Sequence, residues 1–229
     1  MMNTAEQSEQ TGQASESYEE ILRAAAELFM EFGYTATSID AVADRLGSTK
    51  GRIYYHFRSK ADLFFAVQTR AMTRLTSEIE PLARSSAAPV EKLAAMALRH
   101  TQILLAELPM QKVAVQGLER HLLGASAARH MKTLRSIIKM RDDYEQLFAE
   151  VIDEGMRKGL FVDLPVKLAT KPFFGALNWA TVWYSQRRLQ TDDEINEIAN
   201  ELAAFALRGL LKDPRHDATK TTLLRHHLG

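Results

Sequence analysis

The chain has no cysteine among its 229 residues. That excludes disulfides, thiol nucleophiles and thiolate metal sites, and it fits a reducing cytoplasm as the expected location. It also lacks net charge, with 29 Lys+Arg against 29 Asp+Glu. A protein coated in basic residues is therefore excluded, but a local basic patch is not, because a binding field depends on how charge is distributed. No apolar run approaches the roughly 18 residues that would span a bilayer, so no membrane partner is expected. No alternating strand pattern, glycine-rich phosphate loop, internal repeat or nucleophile–base arrangement is legible, so neither an enzyme nor a cofactor is expected. His100, His121 and His130 have no partners at metal-ligand spacing. The N-terminal stretch MMNTAEQSEQTGQASES has neither a basic nor an apolar region, so residues 1–16 read as a disordered tail, not a signal peptide.

What the chain has in abundance is helix signal. Ser17-Tyr-Glu-Glu20 has the form of a capping box ahead of a helically spaced apolar run, with Gly33 as its stop. Further helices are expected from Thr37 to Gly47, over 48–56, from Lys60 to about Glu80 with Pro81 closing it, and over 90–107. One or two shorter helices over 110–124 follow, then one over 126–158 and one over 165–189. A last helix opens on the capping box Thr191–Glu194 and runs to about Leu211. The expected fold is all-α with about nine helices. Residues 213–229 read as a C-terminal tail.

The stretch 47–60, GSTKGRIYYHFRSK, holds five basic or histidine side chains and no acid. Two short helices meet at Gly47, the spacing of a helix-turn-helix whose second helix enters the major groove. Ile53 and Phe57 form an i,i+4 pair that would anchor that helix to a core. Thr49, Lys50, Arg52, Tyr55 and His56 remain for its outer face, where donors reach phosphates and base edges. Arg52, early in the helix, is the expected reader of guanine, with Lys50 beside it. Tyr54, Tyr55 and Lys60 are placed for phosphate, Lys60 at a helix start where free N–H groups also favour an anion.

These residues carry a resemblance. Phe32-Gly33, Thr37-Ser38-Ile39, Val42-Ala43, Gly47, Lys50-Gly51, Ile53-Tyr54, Phe57 and Ser59-Lys60 before Leu63 match, without a gap, the DNA-binding domain of the TetR family of transcriptional regulators. The resemblance covers about residues 17–75. It implies a three-helix DNA-binding head, residues 17–62, on a helical ligand-binding and dimerisation body, residues 63–212. It also implies operator contacts at Thr37, Ser38, Lys50, Gly51, Arg52, Tyr54, Tyr55, His56 and Lys60. Arg52 stands where a small Ser or Thr is commoner, and Arg58 where Pro is frequent.

The body is read on its own residues. The helix expected over 165–189 is apolar on nearly every side, so it should face both its own core and a second copy. With the last helix (Ile195, Ile198, Leu202, Phe205, Ala206, Leu210) it would form a two-fold homodimer interface. Arg141, Tyr144, Gly155, Gly159-Leu-Phe, Gly175-Ala-Leu-Asn-Trp179 and Trp183-Tyr184 resemble the branch of the family that represses fatty-acid, aromatic-acid and steroid breakdown. That branch implies a small-molecule effector of the acyl-CoA type, with a free acid or a drug as the alternative. Met96, His100, Ile103, Leu104, Val113, Phe148, Phe174 and Leu177 would line the acyl slot. Arg141, Arg187 and Arg188 would meet phosphates, and Trp179 or Trp183 would stack on the ligand. The function expected is a repressor released from a palindromic operator by that effector. A helical enzyme or carrier is the rival.

Overall fold

The computed structural model describes residues 4–115 and 127–212. Among them every regular element is a helix, apart from one isolated bridge between Phe161 and Leu211. The helices are α1 (Thr4–Ala36), α2 (Ile39–Arg45), α3 (Lys50–His56), α4 (Lys60–Ala83) and α5 (Pro89–Ala106). They continue as α6 (Leu108–Val115), α7 (Ala127–Arg157), α8 (Val166–Asn178), the single turn α9 (Ala180–Trp183) and α10 (Asp192–Arg208).

Three expected boundaries differ. Helix α1 starts at Thr4, well before the Ser17 box, so part of the segment read as a tail is helical. Its Glu, Gln, Ala and Ser residues are adequate helix formers and nothing before Ser17 forces a break. Helix α4 runs through Pro81 to Ala83: a proline in a final turn forfeits one hydrogen bond without dismantling the turns before it. The helix expected over 165–189 ends at Trp183, where Tyr184 turns extended. The polar residues after it have no apolar face to bury, and Gln190 Oε1 accepts from the Tyr184 hydroxyl and the Arg187 N–H in a tight turn. Gly124, His121 and the C-terminal tail lie outside the described residues.

Other signals are met where expected. Gly33 breaks α1 with φ at 79°, a backbone conformation that suits glycine. Ser38 caps α2 by accepting from the Ala41 N–H at 3.0 Å. Thr191 and Glu194 form both halves of a capping box at α10.

The chain divides into two compact units, Met1–Arg74 with Glu107–Arg141, and Leu75–Ala106 with Asp142–Gly229. The unit around the helix-turn-helix is thus larger than residues 17–62. One apolar core runs through it, from Ile21, Leu22 and Phe29 of α1 to Val42, Ile53, Phe57, Phe64 and Val67, and on to Met110, Val113 and Ile137. Helix α6 packs on α1, and α2 on both α1 and α3. In the second unit α10 packs on α5 and α8, and α5 also meets α8 and α9. No helix among the described residues is long and apolar enough to cross a membrane.

Candidate nucleic-acid interface and effector cluster

Helix α3 has seven residues, too few to be stable by hydrogen bonding alone. Its position is set by burial. Ile53 is fully buried and Phe57 nearly so, and both enter the first unit's core. The opposite side carries Thr49, Lys50, Gly51, Tyr54 and Tyr55, all exposed, with Ser38 exposed at the start of α2. Tyr55 is 80% exposed, a large aromatic ring left in water beside its neighbour His56. Lys50 Nζ lies 2.6 Å from Asp40 Oδ2, an ion pair more than half exposed on both sides and easily exchanged for phosphate.

Four of the expected DNA contacts have other employment. Thr37 is buried, its hydroxyl 2.8 Å from the Gly33 carbonyl and 3.1 Å from that of Leu28. It closes the break between α1 and α2. Lys60 places its ammonium 2.7 Å from the Tyr34 carbonyl, 3.1 Å from that of Thr35 and 2.8 Å from that of Thr37, above the Tyr34 ring. All three of its donors are used on that connection, and burial lowers its pKa. His56 packs edge-on against Tyr18 and Tyr55, and burial followed by the Arg52 charge lowers its pKa. Its ring is half-buried against those two aromatics.

Arg52 is the fourth. Its Nε donates to Ser17 Oγ at 2.9 Å and its Nη2 to the Glu20 carboxylate. The side chain is directed along α1, not off the outer face of α3. The two residues that read as a capping box are mid-helix and serve as the receptor for this guanidinium. The signal for this was present: residues 17 and 20 share one face of any helix that continues upstream.

In the second unit, His100, Phe148 and Phe174 do come together, with Met96, Ile103, Leu104 and Leu177 buried in the same unit. Tyr144 and Asn178, not assigned to the slot from sequence, complete the group. His100 Nδ1 is 2.8 Å from the Tyr144 hydroxyl, and Nε2 is 3.0 Å from Asn178 Oδ1. Asn178 Oδ1 only accepts, so Nε2 carries the proton and Nδ1 accepts from Tyr144. Complete burial lowers the His100 pKa to about 4, with the Asn178 bond opposing that shift. Burial raises Tyr144 as well. Both groups are neutral at pH 7.

The remaining effector candidates are elsewhere. Trp179 and Trp183 are 63% and 50% exposed, and Arg187 and Arg188 are exposed after α9. Val113 and Arg141 belong to the first unit, where Val113 is core and Arg141 donates to the Ala114 carbonyl. Trp179, Val182 and Trp183 share the outward side of α8–α9, while Phe173, Leu177 and Ala180 face inward. On α10 the inward side is Ile195, Ala199, Ala203 and Ala206, and Phe205 is 69% exposed. The expected stripe on α10 is thus split: alanines allow close approach to the core and the phenylalanine is left outside.

Residues 21–67 match the family described as bacterial regulatory proteins, tetR family, and residues 86–210 match the tetracyclin repressor-like C-terminal domain. The HTH-type transcriptional repressor KstR2 of Mycobacterium tuberculosis is 24% identical over 213 residues, 88% of this chain and 96% of that protein. The TetR-family regulator PfmR of Thermus thermophilus superposes with a TM-score of 0.69 at 27% identity, over 84% of this chain and 99% of that one. AibR, solved in complex with isovaleryl coenzyme A and operator DNA, gives a TM-score of 0.62 at 24% identity, over 81% and 97%.

Proposed function

The chain belongs to the TetR family of bacterial DNA-binding transcriptional regulators, and from that membership we propose that it is a homodimeric repressor released from a palindromic operator by an acyl-CoA thioester. The observation that carries the DNA half is the outward side of α3. Thr49, Lys50, Gly51, Tyr54 and Tyr55 stand exposed on a helix whose other side is buried, with Ser38 at the edge. In this reading the tyrosines and Ser38 hold phosphates, Lys50 exchanges Asp40 for the duplex, and Gly51 admits close approach of the backbone. Arg52 acts one step back, fixing α3 to α1.

The dimer reading rests on Trp179, Val182, Trp183 and Phe205. They are exposed apolar side chains on helices α8, α9 and α10, and α8 packs on α10. A second copy would cover them, and two half-sites on one operator ask for two heads. The acyl-CoA reading is supported by the aromatic group around His100 and by AibR, a relative in fold that was solved with isovaleryl coenzyme A.

The test is an electrophoretic shift on the DNA upstream of the protein's own gene. Specific binding that falls steeply with salt is expected, followed by release on adding decanoyl-CoA. Equal affinity for random DNA would sink the operator reading. Release by decanoate and not by decanoyl-CoA would sink the thioester.

A further inference from the structure

Helices α2 and α3 pack on each other, with Val42 and Ala43 of α2 and Ile53 of α3 turned into the core. Their outer sides therefore lie next to one another. Asp40, in the first turn of α2, and Lys50, at the start of α3, are both exposed there, with Oδ2 and Nζ 2.6 Å apart. The bond to the carboxylate raises the Lys50 pKa, so the ammonium stays fully charged. The outward side of α3 otherwise carries donors, the hydroxyls of Thr49, Tyr54 and Tyr55.

Against a duplex this acid is costly unless it finds a donor. When Lys50 exchanges it for the DNA, the carboxylate is left facing a polyanion without its partner. Glu20, the other acid that meets the run 47–60, stays paired with Arg52. Phosphate oxygens only accept, and in the major groove the donors are the amino groups of cytosine (N4) and adenine (N6). An Asp or Glu pairs best with cytosine N4, and a lysine with guanine O6 and N7. In a G·C pair O6 and N4 are hydrogen-bonded to each other, about 2.9 Å apart. That is close to the spacing of Lys50 Nζ and Asp40 Oδ2, with donor set against acceptor and acceptor against donor.

We propose that Asp40 is a specificity-determining residue, accepting from cytosine N4 of one C·G pair in each operator half-site while Lys50 donates to the guanine of that pair. The assignment deepens, and rests on, the reading of the chain as an operator-binding regulator. The acid acts as a filter. Facing cytosine it is paired; facing guanine or thymine it meets acceptors and is repelled. Adenine offers N6, but its pair puts thymine O4 and a methyl group where Lys50 meets guanine. An acid that merely screened Lys50 would behave differently, weakening binding to every sequence alike.

The test is selection of bound duplexes from a random library by the full chain, as wild type, D40A, D40N and D44A. Affinities for the selected duplex and its single-pair variants follow. Wild type is expected to select a motif with a C·G pair at a fixed place in each half, and to lose about tenfold or more when that pair is changed. D40A is expected to accept all four pairs there within about twofold, with the rest of the motif unchanged. D40N keeps the side-chain shape and is expected to move the preference towards adenine, which a carboxamide meets with one donor and one acceptor. Asp44, exposed one turn further along α2, is the control, and D44A is expected to keep the wild-type motif. An acid in the first turn also stabilises a helix, but lost stability would weaken binding to all sequences and would not flatten one pair. A motif unchanged in both D40A and D40N, a C·G pair flattened equally by D44A, or D40A binding every duplex more tightly by the same factor would overturn the proposal and leave the DNA-binding reading standing. Failure of wild type to select any motif would overturn both.

Discussion

Arg52 and Lys50 are two positions apart and do different work. Arg52 bonds Ser17 and Glu20 of α1, whereas Lys50 holds only an exposed carboxylate. Arg52→Ala is expected to cost about 1 kcal/mol and lower the melting midpoint by about 2–4 °C. Lys50→Ala is expected to leave the midpoint unchanged, weaken operator binding roughly tenfold and reduce the salt slope by about one per half-site. Melting curves and salt-dependent shift assays separate the two; a midpoint lowered equally by both substitutions would contradict the assignment. Residue by residue, the exposure of Lys50, Gly51, Tyr54 and Tyr55 was legible from the helical period around Ile53 and Phe57. The partners of Arg52, Lys60 and Thr37 were not, because they are set by how α1 folds back on the helix-turn-helix, for Arg52 and Lys60 across 23 to 35 residues of sequence.

His100 makes a second prediction at this scale. Its folded pKa, about 4, lies below the unfolded value of about 6.5, so the unfolded chain binds the extra proton. Its neutral burial therefore contributes fully above pH 6.5 and is lost as pH falls towards 4. Taking the protein from pH 7 to pH 5 should cost about 2 kcal/mol at this one site. His100→Gln, which cannot titrate, should flatten that part of the stability–pH profile, and an unchanged slope would argue against the assignment.

At the scale of elements, the end of α7 is held by a close approach. A Cβ at Gly155 would lie 2.2 Å from two ring carbons of Phe161, which is 1% exposed. Gly159, at φ 69°, turns the chain so that the Leu160 N–H donates to the Gly155 carbonyl and Phe161 folds back on the helix. Phe161 in turn bridges Leu211 just past α10. Gly155→Ala should cost about 1–3 kcal/mol through overpacking, lowering the midpoint by several degrees. The paired change Gly155→Ala with Phe161→Leu should recover part of it; no recovery would place the strain elsewhere. The sequence showed that α7 ends near Gly159, but the need for glycine at 155 depends on where the Phe161 ring lies.

At the scale of the whole molecule, the outward side of α8–α9 and Phe205 of α10 bear on oligomeric state. Trp183→Glu with Phe205→Glu should yield a monomer by sedimentation and weaken operator binding by about 100-fold or more, since the second half-site would no longer be held close by the first. A dimer persisting at micromolar concentration in the double variant would mean that another surface is used.

The sequence by itself determined what local chemistry can determine. Apolar period and caps placed most of the helices, Gly33 and Gly47 their breaks, and an unbroken motif the family and its DNA-reading helix. These depend on residues within a turn or two of one another. Only the tertiary structure decided that the acid-free run is countered by Glu20 of α1 and Asp40 of α2, and that Lys60 serves three carbonyls. An Arg or Lys looks the same in sequence whether it faces water, a carboxylate or a row of carbonyls. Its role follows from which distant groups packing brings beside it.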